Sequence, residues 1–144
     1  MARSLFALAL GSACLALLAA GCGGTKSYSL EKTRACLSKE NGVRLVPVPR
    51  NDFLASIVLG GAVTVKLERN QVTIAFGDDE AAADGIAQRY RDSAGKNIGI
   101  EDVLRPDRNA VLLWKAHPSQ QDISSVNGCL KLALRRPPPR AGSA

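Results

Sequence analysis

The sequence predicts an α+β domain: an antiparallel-rich sheet of about four strands with about three helices packed mainly on one face. Three observations carry this expectation. Ala62-Val63-Thr64-Val65-Lys66-Leu67 and Gln71-Val72-Thr73-Ile74-Ala75-Phe76 alternate, are rich in β-branched residues, and are separated by Glu68-Arg69-Asn70, which reads as a hairpin. Ala82, Ala83, Ile86, Ala87 and Tyr90 recur at helical spacing as a narrow stripe of mostly small residues, suited to lying close against a sheet. Ala110-Val111-Leu112-Leu113-Trp114 is continuously apolar, as a central strand buried on both faces would be.

The elements follow in order. Ser29 is placed to cap a helix over 30–41, with Glu31 in its first turn and Gly42 just past its end. Leu30, Thr33 or Arg34, and Leu37 mark its inner face, with Cys36 beside it. The stretch 43–48 alternates as a strand, and Pro47 places it at an edge or at the strand's end. Residues 49–52 form a turn. The apolar run 53–59 is too short to separate buried strand from helix, and Gly60-Gly61 breaks it. In the hairpin, Val63, Val65 and Leu67 share one face, as do Val72, Ile74 and Phe76, which predicts a sheet with one solvated side. Asp78 caps a helix over 79–94, and Gly95 stops it. Residues 96–109 read as a long connection with a short helix near 101–104. Pro118 and Ser119 open the last helix, where Ser119 and Asp122 stand in capping-box spacing. Ile123, Val126, Cys129 or Leu130, and Ala133 form its inner face.

The N-terminus sets an address. Met1-Ala2-Arg3-Ser4 is short and positive, and residues 5–20 carry no charge and are mostly Leu and Ala. This is the pattern of a secretory signal peptide, and the run is too short to span a bilayer comfortably. Its end, Ala19-Ala20-Gly21-Cys22, resembles the lipobox of bacterial lipoproteins, departing from it in Ala19, where Leu is commoner. The resemblance covers residues 1–22. It implies diacylglyceryl transfer to the Cys22 thiol, cleavage before Cys22, and acylation of the new amino group. Two or more acyl chains hold a protein firmly, whereas one does so only marginally. The competing readings are plain secretion after Ala19-Ala20-Gly21, with Cys22 a bystander, and an uncleaved membrane helix. The order of the early elements also resembles small exported lipoprotein domains of unknown function, without a residue motif to support the likeness. The chain thus divides into a signal peptide (1–21), a lipidated tether (22–28), one α+β domain (29–134) and a disordered, basic, Pro-rich tail (135–144).

The chain has four cysteines. Cys14 leaves with the signal peptide and Cys22 is claimed by lipid. Cys36 and Cys129 remain, and export favours their pairing as a structural disulfide. The loop so closed is worth roughly 4–5 kcal/mol by chain entropy. The alternative is two separate buried thiols.

Net charge is +6, one unit of which leaves with Arg3. A basic chain held at a membrane on its extracytoplasmic side is drawn to anionic lipid or acidic wall polymer. Export removes nucleic acid as a partner, and the sequence leaves any protein partner open.

No cofactor, metal site or catalytic residue is called for. His117 is the single histidine, so HExxH and His/Cys zinc clusters are excluded, and P-loop and G-x-S-x-G patterns are missing. His117 reads as a loop residue. Asp78-Asp79-Glu80 reads as helix capping, Glu101-Asp102 as turn charges and Trp114 as core. Arg135, Arg136 and Arg140 read as a solvated tail or as contacts to membrane or wall polymer. The expectation is therefore a non-enzymatic, lipid-anchored binding, adaptor or envelope domain. Two alternatives stand beside it: an exported protein inhibitor presenting 96–109 as a rigid loop, and an exported hydrolase using a carboxylate pair.

Overall fold

The computed structural model describes residues 26–96 and 99–134. The expected signal peptide, Cys22 and the tail from Arg135 lie outside the described residues. No described helix is long and apolar enough to cross a membrane.

Five antiparallel strands form one sheet: β1 (Arg44–Val46), β2 (Ala62–Lys66), β3 (Gln71–Phe76), β4 (Leu104–Asp107) and β5 (Ala110–Trp114), in the order β1-β2-β3-β5-β4. The β2–β3 hairpin pairs Val63 with Ile74 and Lys66 with Gln71. β5 is an interior strand next to edge strand β4, pairing Ile74 with Leu112 on one side and Leu104 with Leu113 on the other. Both edge strands are short and carry or precede proline, Pro106 in β4 and Pro47 after β1. A proline cannot extend the ladder outward, so these edges resist pairing with another chain.

The α+β class is as expected, with one more strand. β4 falls within the stretch read as a connection, because Arg105-Pro106-Asp107 has turn composition; its place comes from pairing with β5. The run 53–59 resolves as helix α2 (Phe53–Ile57), whose start is capped by Asp52, its Oδ1 accepting from the Ala55 amide at 3.0 Å.

Helices cover both faces of the sheet, not mainly one. Period-2 alternation sends Val63, Val65, Val72, Ile74, Phe76, Leu112 and Trp114 to one side. They pack there with Leu37 of α1 (Leu30–Leu37) and with Val126 and Leu130 of α5 (Gln120–Leu132). On the other side Val111, Leu113 and Leu104 meet Ala83, Ala87 and Tyr90 of α3 (Glu80–Ala94), with Leu54 of α2 and Ile100 of α4 (Ile100–Val103) beside them. The side expected to be solvated is buried too. Thr64 and Thr73 look polar in sequence, but they pair across β2 and β3, and their hydroxyls hydrogen-bond each other at 3.1 Å. That satisfies both groups without water.

Local chemistry sets the helix ends. The cap of α3 is Asp79, one residue later than expected: its Oδ1 accepts from Ala82 N at 2.8 Å. The capping box of α5 forms as its spacing predicts. Asp122 N donates to Ser119 Oγ at 3.1 Å, and Ser119 N to Asp122 Oδ2 at 3.0 Å. α1 ends at Leu37 rather than near Asn41, passing through turns to Gly42, where φ is +75°. Cys36 and Cys129 form the expected disulfide, tying α1 to α5 with a Cα–Cα distance of 5.4 Å.

Candidate functional site

The chain enters and leaves the described fold at one end of the sheet. Tyr28 forms an antiparallel bridge with Leu134, and Ser29 N donates to Ala133 O at 3.1 Å. Asn109 organises this end. Its Oδ1 accepts from Tyr28 N at 2.6 Å, and its Nδ2 donates to Tyr28 O at 3.2 Å and Gly77 O at 3.0 Å. Gly77 N in turn donates to Asn109 O at 2.7 Å. One buried amide therefore joins the incoming chain, the β4–β5 turn and the junction of β3 with α3. Nothing in the sequence marks Asn109 beyond its turn composition. Beside it Arg108 has φ 55°, the left-handed region that a turn tip ordinarily gives to glycine. Its guanidinium donates to Lys26 O at 3.3 Å, a second tie to the incoming chain.

Tyr28 is pinned at its other end by a hydrogen bond from its hydroxyl to Asp107 Oδ2 at 2.8 Å. Burial, and then the Asp107 carboxylate, push the Tyr28 pKa up from 10.0 to about 12. Tyr90 repeats the pattern on the opposite face. Its hydroxyl donates to Asp52 Oδ1 at 2.8 Å, and burial followed by the Asp52 charge raises its pKa well above the ordinary tyrosine value. Both tyrosines therefore stay protonated at neutral pH and donate to these carboxylates.

The residues singled out in the sequence are scattered. Cys22 lies outside the described residues, as do Arg135, Arg136 and Arg140. His117 is exposed on the β5–α5 connection. It rims a concavity of about 510 Å³ with Asp122 and Ser125. The nearby Ser119 hydroxyl accepts from Asp122 N, and the Asp122 carboxylate accepts from Ser119 N and Asn70 Nδ2, bonds that fix the start of α5. Trp114 is 3% exposed and belongs to the core. Glu101 forms an exposed two-point ion pair with Arg91, Nε to Oε1 at 2.7 Å. The short helix expected near 101–104 is α4, and the rest of the expected connection is ordered as β4, with Leu104 buried against α3.

Cys36, Cys129 and Glu40 offer ligand atoms within 4.8 Å of one another. The two sulfurs are spent in the disulfide, however, and thiolates rather than disulfide sulfurs ligate metals.

The surface that does stand out is an apolar groove of about 290 Å³ between α2 and α3. Leu54, Ile57, Val58 and Leu59 form one wall. Ala82, Gly85 and Ile86 form the other, with Asp78 and Arg89 among the lining residues. The small α3 residues leave the groove open; a Cβ at Gly85 would meet nothing within 4 Å. Leu59 is 93% exposed and Ile57 46%. Gly60 holds this rim in place, because its backbone lies against the Phe76 carbonyl where no side chain would fit. Neither the groove nor Leu59 was legible beforehand, since both depend on α2 being a helix set beside α3.

No protein-family model, no curated protein and no solved structure matches the chain.

Proposed function

We propose that the protein is a membrane-anchored bacterial lipoprotein: a non-enzymatic binding or adaptor domain tethered through acylated Cys22 on the extracytoplasmic side of the cell membrane. The observation that carries this reading is the run from a charged start through an uncharged apolar stretch to Ala19-Ala20-Gly21-Cys22. A Cys36–Cys129 disulfide suits the oxidising compartment to which such a signal leads. The six residue steps from Cys22 to Tyr28 span at most about 20 Å, so an anchored Cys22 keeps the Asn109 end of the sheet near the headgroups. The binding role rests on the α2–α3 groove, an open apolar surface on a domain whose two tyrosines are tied to Asp107 and Asp52 and whose Glu101 is paired with Arg91.

Cell fractionation of the wild-type chain and of Cys22→Ser tests the anchor. The wild type is expected in the membrane fraction, released by detergent but not by salt, and Cys22→Ser in the soluble extracytoplasmic fraction. A wild-type chain that is soluble, or a Cys22→Ser chain still held in the membrane, would overturn the reading.

A further inference from the structure

We infer that the α2–α3 groove is the docking site of the chain's own C-terminal segment, Arg135-Arg136-Pro137-Pro138-Pro139-Arg140 and the residues after it. The groove is apolar along Leu54, Ile57 and Ile86 and acidic toward the start of α3, where Asp78, Asp79 and Glu80 are all exposed. The tail is the complementary object, with three arginines around a run of three prolines and no acidic residue. Proline-rich segments favour an extended polyproline form, which lies in apolar grooves at small cost in chain entropy. Arginine is suited to the carboxylates at the groove mouth. Arg89 is the one cation among the lining residues, and it lies more than two helical turns along α3 from the acidic end.

The geometry brings the two together. Leu134, the last described residue, is paired with Tyr28. The carbonyls of Tyr28 and Gly77 share one donor, Asn109 Nδ2, at 3.2 and 3.0 Å. They are therefore about 6 Å apart or less, and Asp78 follows Gly77 directly. The tail starts within a few residues' reach of the groove mouth. Its ten residues, extended at about 3.1 Å each, measure about 30 Å. Short tethering of this kind gives a high effective concentration, so even a weak groove–tail contact is largely occupied. The inference does not depend on acylation of Cys22. Its consequence is that an external partner of the groove would be a basic, proline-rich extended peptide and would compete with the tail.

Amide hydrogen exchange on the full-length protein tests the inference, in detergent if the chain is acylated. Reversing the tail charges (Arg135→Glu, Arg136→Glu, Arg140→Glu) is expected to speed exchange about tenfold over 53–59 and the first turns of α3, leaving the sheet unchanged. Asp78→Arg with Glu80→Arg is expected to do the same; Asp79 is left intact because it caps α3. Combining the two charge reversals is expected to restore protection, which a mere loss of stability would not do. Exchange unaffected by the tail, or affected without restoration in the combined variant, would overturn the proposal. So would protection that disappears on dilution, which would mean a second copy fills the groove, or protection that appears only with phosphatidylglycerol vesicles, which would mean a lipid surface does.

Discussion

A single side chain, Asn109, binds three segments that are distant in sequence. It is 4% exposed, and its amide makes three hydrogen bonds to backbone groups of Tyr28 and Gly77. Asn109→Ala strands buried peptide groups and is expected to cost about 3 kcal/mol, read as a lowered urea midpoint at constant m. Asn109→Asp is expected to be no better, since a carboxylate would face the Tyr28 and Gly77 carbonyls with no proton to donate. The two buried tyrosines make a prediction in pH. Each has a folded pKa above its unfolded value, so the folded state holds the phenolic proton more tightly. Their contribution is complete below about pH 10 and is lost as pH rises toward and past 12. Thermal melts between pH 9 and 12 are expected to show falling stability, and Tyr28→Phe is expected to flatten part of that slope. A wild-type slope that Tyr28→Phe leaves unchanged would place the titrating group elsewhere.

At the scale of elements, the disulfide and the close packing of α3 do the most. Reducing Cys36–Cys129 frees a loop closed over a separation of 93 residues. It is expected to lower stability by about 4 kcal/mol, measured as the shift in denaturant midpoint with and without reductant. Cys36→Ser should match the reduced protein. Ala87 of α3 is 1% exposed against the sheet. Ala87→Leu is therefore expected to cost about 1–3 kcal/mol by overpacking, whereas the same change at the exposed Ala81, which does not line the groove, is expected to be nearly silent. These elements also show what the sequence could reveal. The Ser119–Asp122 box, the β2–β3 hairpin and the buried β5 run were legible because their signals are local. The disulfide was legible because the expected export, and the expected fates of Cys14 and Cys22, left one pair. β4 was not, since Leu104 is its one large apolar residue and its order comes from β5. The second buried face was hidden because Thr64 and Thr73 satisfy each other, a pairing that becomes visible only once the register is known. α2 was undecided because its five residues make little more than one turn, too few for a repeat to show; Asp52 at its cap was the available signal.

At the scale of the whole molecule, the account is one of an oriented domain. The described chain enters and leaves at the Asn109 end, the α2–α3 groove opens beside it, and the proposed anchor Cys22 lies six residues before Tyr28. The site is the least legible part of the sequence, because a groove is a relation between two helices and not a property of either. The proposed anchor is the reverse, read from consecutive residues. The central claim is that Cys22 is the acylated first residue of the mature protein, and mass spectrometry of the intact N-terminus purified from native membranes tests it most directly. The account predicts a chain beginning at Cys22 and heavier than its residues by a diacylglyceryl group, with or without a further N-acyl chain. An unmodified N-terminus, or one at any other residue, would contradict it.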